Sequence, residues 1–158
     1  MNFENILLEK KDGVAKIIIN RPPLNILNLK TIEEMNHALT ELRADNDAKV
    51  VVITAAGNRA FSAGVEVADH LGDRLPKMVE VFSRLFILLL EVDKPTIAVV
   101  NGVALGGGCE VIAGCDMAIA SEKAQFGQPE IKLGLYPPPA SVLFPRIMGM
   151  RKAFELIL

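Results

Sequence analysis

The chain reads as an α/β protein in which strands and helices alternate. Three observations carry this. β-branched apolar runs of strand length recur along the 158 residues. A stretch with helical apolar spacing separates the first two runs, and turn-type residues end them. Such alternation makes right-handed crossovers the expected connection.

In chain order, Val14–Ile19 and residues 49–54 are expected to be strands with substantial burial. Between them Leu29, Ile32, Met35, Leu39 and Leu42 recur at helical spacing, while Glu33, Glu34, His37 and Glu41 fall on the other face. A helix over 29–42 with a solvated His37 follows. Residues 55–72 form a connection of the length that in compact domains is usually functional or mobile. A second helix is expected after Pro76, ending near Val92, and Thr96–Val100 is a third buried strand. Asn101-Gly102-Val103-Ala104-Leu105 then leads into Gly106-Gly107-Gly108, where a short helix begins and stops near Gly114. Residues 116–120 and 125–126 supply further short strands, and the chain turns helical after Ser141 as far as Leu158. No internal repeat or low-complexity tract interrupts this order. The last seven residues lack a C-cap glycine or polar tail, so that helix is expected to be cut in mid-course and the chain to be a fragment.

A chain of 158 residues fits one domain with a buried core, and 51% apolar against 23% charged residues excludes a disordered one. A net charge of -2 gives no reason to expect nucleic acid as a partner. The longest apolar run, 85–90, is too short to cross a bilayer. The opening Met-Asn-Phe-Glu-Asn lacks the basic-then-apolar plan of a secretory signal, so a cytoplasmic protein without a membrane partner is expected. Cys109 and Cys115 match neither a C-x-x-C pair nor a zinc knuckle, and the only histidines are His37 and His70. No metal site is expected, and both cysteines read as small buried thiols.

Chemistry concentrates in two places. Gly106-Gly107-Gly108-Cys109-Glu110 is a glycine turn entering a helix. Glycine permits close backbone approach, and the free N–H groups of a first helical turn suit a developing negative charge. The turn lacks the Gly-Lys-Ser/Thr ending of a phosphate loop and the third glycine of a dinucleotide fingerprint, and tight strand-to-helix packing explains it equally well. The second feature is a pair of carboxylates among apolar neighbours, Glu110 and Glu130, the latter in Phe126-Gly127-Gln128-Pro129-Glu130-Ile131. Two acids at one site can divide acid and base roles, although each in isolation reads as readily as a surface or helix-start acid.

Taken together, Asn20-Arg21-Pro22, Ala60-Phe61-Ser62-Ala63-Gly64, Lys94-Pro95, the segment from Asn101 through Glu110, and the segment from Ala124 through Ile131 resemble the crotonase, or enoyl-CoA hydratase, superfamily across nearly the whole chain. The resemblance implies a crotonase-like spiral of β-β-α units, followed by a C-terminal helical region that packs subunits into trimers or hexamers; residues 1–158 would be the N-terminal spiral core. It implies a hydratase acting on an unsaturated acyl-CoA, with coenzyme A as part of the substrate and no separate cofactor. Two backbone N–H groups, matching Val65 and Gly107, would grip the thioester carbonyl. Glu110 would be the base on water and Glu130 the proton donor. Pro22, Leu24, Ala63, Val65, Glu66, Val67 and Ala68 match coenzyme-contacting stretches.

The sequence departs from the pattern in several places. Val65 stands where alanine is common, which is expected to crowd the donor pair, and Glu66 stands for aspartate. Arg21-Pro22-Pro23-Leu24-Asn25 is one residue short. Tyr136-Pro137-Pro138-Pro139-Ala140-Ser141 replaces a glycine-rich segment, so a more rigid acyl pocket is expected, bordered by His70, Tyr136 and Pro138. These segments look most like cyclohexa-1,5-diene-1-carbonyl-CoA hydratases of anaerobic aromatic degradation. The alternatives are an ordinary short-chain enoyl-CoA hydratase/isomerase of fatty-acid oxidation and a non-catalytic acyl-CoA-binding fragment. A serine protease of related fold, using Ser62, would need a histidine base that no recognisable triad context supplies.

Overall fold

The computed structural model describes residues 3–158. Strand β1 (Ile6–Lys11) forms an antiparallel hairpin with β2 (Val14–Ile19). The turn is Asp12-Gly13, both with positive φ, as a tight hairpin needs. This first strand has no counterpart in the sequence-based expectation, because four of its six residues are exposed and its pattern is weak. Helix α1 (Leu29–Ala44) follows, capped by Asn28, whose side chain accepts the Thr31 N–H. It buries Ile32, Met35, Leu39 and Leu42 against the sheet, each contributing about 1.5–3 kcal/mol of transfer free energy before entropy is counted.

The chain then repeats one plan three times. Strand β3 (Val50–Ala55) leads to β4 (Ala60–Ser62) and helix α2 (Arg74–Glu91). Strand β5 (Thr96–Val100) leads to β6 (Val103–Leu105) and α3 (Gly107–Gly114). Strand β7 (Met117–Ala120) leads to β8 (Phe126–Gly127) and α4 (Pro138–Met148), with α5 (Met150–Ile157) last. The first strand of each turn joins a five-stranded sheet in the order β1-β2-β3-β5-β7, and the second joins a three-stranded sheet in the order β4-β6-β8. From β2 onward all pairings are parallel. Among the described residues the segment after β2 pairs with the second layer through a single β-bridge, Leu27 with Val65. The result is a spiral of β-β-α units, and the repetition lies in the backbone rather than in the residues.

Alternation along β2, β3 and β5 turns Ala15, Ile17, Ile19, Val51, Ile53, Ala98 and Val100 into the core. Two helix boundaries differ from expectation. Helix α2 starts at Arg74 and carries Pro76 in its first turn, where a missing N–H costs no intrahelical bond. The single helix expected after Ser141 is two helices beginning at Pro138, separated at Gly149 with φ +78°. Residues 55–72 are not one loop, since they contain β4 and a 3₁₀ turn over Val67–His70. Among the described residues no helix is long and apolar enough to cross a membrane.

Candidate active site

Because β4, β6 and β8 run parallel, the segments leaving their C-terminal ends meet at one edge of the small sheet, the usual place for ligand sites in parallel sheets. These segments are 63–70, 106–110 and 128–140, and the turn after β2 joins them.

That turn is held by Asn25, which is fully buried with φ +49°. Its Oδ1 accepts the Arg21 N–H at 3.0 Å, and its Nδ2 donates to Ala56 O at 3.0 Å and Ala60 O at 2.7 Å. The Ala63 N–H donates to Leu24 O at 2.9 Å. The half-buried Leu24 and exposed Pro22 therefore run beside Ala63, so the two stretches matched to the coenzyme lie side by side.

In the next segment Leu27 donates to Gly64 O at 2.9 Å and accepts the Glu66 N–H at 3.0 Å. In a parallel bridge this pattern turns the N–H of the intervening Val65 away from Leu27. Glu66 is half-buried, Val67 and Ala68 are exposed. Buried Asp69 anchors the 3₁₀ turn by accepting the Leu29 N–H at the start of α1, 3.0 Å away, and by pairing with Arg74 at 3.3 Å. His70 is half-buried, with Nδ1 3.0 Å from Glu66 O; a carbonyl only accepts, so Nδ1 carries the proton there.

The glycine turn sits against both neighbours. Gly106 has φ +50°, and a Cβ there would meet Glu130 Oε1. Gly107 opens α3, so its N–H has no intrahelical acceptor. A Cβ on Gly107 would lie 3.3 Å from Val65 N and 2.6 Å from Val65 Cγ2. The two backbone donors are thus neighbours, and the valine side chain fills the space beside Gly107.

Glu110 lies one turn into α3 and is 3% exposed. Its Oε1 accepts the Ala140 N–H at 2.9 Å. Pro138 and Pro139 open α4 and have no N–H, so Ala140 is the first residue of that helix able to donate. Burial pushes the Glu110 carboxyl up to about 7; the Ala140 hydrogen bond opposes this and the charge of Glu130 adds to it. Burial also raises Glu130, against hydrogen bonding by backbone and the charge of His70. Glu130 Oε2 is buried without a hydrogen-bond partner among the described residues. The Gln128 amide, turned so that its nitrogen donates, lies 3.3 Å from both Gly106 O and Gly127 O and ties the Glu130 segment to the glycine turn. Glu110 and Glu130, twenty residues apart, thus face one turn. Such a site can stabilise negative charge on a carbonyl oxygen and move protons at neutral pH.

Other expected residues stand apart. Tyr136 is 70% exposed and Pro138 is exposed, while Pro137 between them is buried. Ser62 is buried, and its Oγ accepts the Gly64 N–H at 3.1 Å. Among the described residues no hydrogen bond joins Ser62 to His37, which sits beside Glu41 on α1, or to His70, whose Nδ1 faces Glu66 O, so the serine-nucleophile reading has no base. Cys109 is buried, and burial pushes its thiol up to about 11, so it stays protonated. Cys115 is half-buried, with its thiol pushed up to about 12 by burial. Among the described residues no group of three or more His, Cys, Asp or Glu side chains is arranged to hold a metal. The sequence reading missed Ala140, Asn25 and Asp69. Only Asn25 carried a signal, as a turn residue tolerant of positive φ.

Comparison with known proteins gives a consistent result. The family model described as enoyl-CoA hydratase/isomerase matches residues 9–158. A short-chain-enoyl-CoA hydratase of Clostridium acetobutylicum is 40% identical over 99% of this chain and 62% of its own length. A crotonyl-CoA hydratase of Syntrophomonas wolfei is 38% identical over 99% of this chain and 62% of its own. An enoyl-CoA hydratase structure from Bacillus anthracis superposes with TM-score 0.89 at 33% identity, covering 98% of this chain and 62% of that one. The chain therefore spans about three fifths of the length of these relatives.

Proposed function

Since the chain belongs to the enoyl-CoA hydratase/isomerase family, we propose that it adds water across the double bond of an unsaturated acyl-CoA thioester. The observation that carries this is the convergence of two carboxyls with raised pKa on a turn that also presents two backbone donors. Attack of water on the β-carbon builds negative charge on the thioester oxygen. The N–H groups of Val65 and Gly107 stabilise that enolate, each contributing about 3 kcal/mol to lowering the barrier. Glu110, with a pKa near 7, takes the proton from water. Glu130, whose hold on its proton burial strengthens, delivers a proton to the α-carbon. Water enters as hydroxyl on one carbon and hydrogen on the next, so neither cofactor nor redox partner is required. Pro22, Leu24, Ala63, Glu66, Val67 and Ala68 form the coenzyme-contacting rim in this reading, and residues 1–158 are the spiral core that carries the site.

Two readings of the acyl group have support. The names of the relatives favour a short linear enoyl group. The proline segment, with His70 near Glu130, favours a rigid pocket for a cyclic dienoyl group such as cyclohexa-1,5-diene-1-carbonyl. The ratio of kcat/KM for cyclic and linear thioesters decides between them, and replacing Tyr136 or Pro138 should shift that ratio if they border the pocket. A cytoplasmic setting and assembly as trimers or hexamers belong to the same proposal. Exposed Ile147, Met150 and Phe154 on α4 and α5 support assembly, which sedimentation reads directly.

The test is turnover by Glu110→Gln and Glu130→Gln. Each should lose about 10²-fold or more in kcat with thioester binding retained, and the double variant should lose far less than the product of the two. Near-normal turnover in either variant would sink the two-carboxylate mechanism.

A further inference from the structure

Helix α3 carries Gly107 and Glu110, and its two terminal glycines lie seven residues apart, two turns along one face. Both meet phenylalanines of α2. A Cβ on Gly107 would lie 3.1 Å from Phe82 Cζ, and one on Gly114 would lie 3.0 Å from Phe86 Cδ1. Phe82 and Phe86, one turn apart on α2, stack edge to face with centroids 5.1 Å apart at 85°. The rings therefore lie directly on the α3 backbone, where any side chain on the helix would hold them off.

At the Gly107 end a third group enters. Val65 Cγ2 occupies the same missing-Cβ space as Phe82 Cζ, and Val65 N is 3.3 Å from that point. Phe82, itself buried, and Val65 thus both pack into the space beside Gly107, next to the two N–H groups of the donor pair. Strand pairing of β4 with β6 and the bonds of Leu27 to Gly64 and Glu66 and of Gly106 to Gly127 set the course of the two segments, and the side-chain contact beside Gly107 acts on the spacing left between the two N–H groups. Stabilisation by such donors depends on their spacing around the developing oxyanion, and displacements of about 1 Å are costly.

We infer that Phe82 is a positioning residue for the donor pair, its ring setting the spacing between the Val65 and Gly107 N–H groups. This rests on the donor-pair reading above. Neither Glu110 nor Glu130 supplies any of the three atoms nearest the Gly107 position, so their proton transfers should survive loss of the ring.

The experiment uses the full chain with an acyl-CoA whose acyl group is a conjugated, electron-rich arylacryloyl chromophore. Polarisation of the thioester carbonyl by two donors shifts its absorption to the red on binding. The parent protein should show that shift; if it binds without it, the donor-pair reading fails, whatever Phe82 does. Phe82→Leu should lose half or more of the shift and about tenfold or more in kcat, with KM within about threefold. Phe86→Leu, cut from the same ring stack but set on Gly114, should lower Tm comparably and keep the shift. Phe82→Met, which refills the volume with a flexible chain, should recover part of the shift and serves as the reporter if Phe82→Leu does not fold. A full shift with full kcat in Phe82→Leu or Phe82→Met overturns the inference. So does an equal loss of shift in Phe86→Leu, which would make the effect general loosening of α2.

Discussion

Glu110 is held between opposed effects. Burial favours its neutral form, while the Ala140 N–H at the start of α4 favours its charge, and the balance lies at about 7. A base must be ionised to accept a proton and an acid must hold one to give it, so kcat/KM should rise as pH passes through about 7 with Glu110 and fall again on the alkaline side as Glu130 loses its proton. A parallel effect follows for stability. The folded carboxyl holds its proton up to about 7, whereas the free one loses it near 4.5. Between those values the folded state binds more protons than the unfolded state, so this group's contribution to stability falls as pH rises through the window. By the size of the shift the loss reaches about 3 kcal/mol at most. The Glu110→Gln variant has nothing to titrate there, so it should gain on the parent in Tm between pH 5 and pH 8. A Tm gap independent of pH would mean that Glu110 does not bury its charge. In the sequence, the glutamate's place after three glycines was legible, but the Ala140 partner thirty residues on was not, because a main-chain N–H has no residue signature.

At the scale of elements, the close seat of α3 on β4 decides where the donors stand. A Cβ on Gly108 would lie 2.5 Å from Ser62 O and 3.0 Å from Ser62 Cβ, so the helix can approach β4 this closely only with glycine there. Gly108→Ala should cost about 1–3 kcal/mol by overpacking, read as a lower urea midpoint at unchanged m-value. The exposed Gly57→Ala, where a Cβ meets nothing within 4 Å, should cost only the left-handed backbone penalty of about 1 kcal/mol. Equal losses would mean that the α3 contact is slack. Elements with strong periodicity, such as α1 and β5, were legible from sequence. Strand β1 was not, because its register comes from pairing with β2 and its own residues are mostly exposed. The division between α4 and α5 was missed because one glycine in a helical pattern does not by itself announce positive φ.

At the scale of the whole molecule, the spiral gathers residues from four turns at one edge of the small sheet. The turn at Pro22 and Leu24 lies against Ala63 through the Ala63 N–H to Leu24 O bond. If this rim holds the coenzyme, an acyl-CoA should bind while the corresponding free acid does not, as read by calorimetry; equal affinity would remove the coenzyme assignment. The sequence by itself determined the alternation of elements, the glycine turn and the two acids, because periodicity, turn chemistry and charge in apolar surroundings are local properties of the residues. Only the tertiary structure decided that Glu130 lies on the Gly106 turn, that Ala140 faces Glu110, and that Val65 and Phe82 share the space beside Gly107. These contacts join residues about 17 to 42 positions apart in a sheet whose strands are parallel, and their separation in space is set by crossover geometry rather than by spacing along the chain.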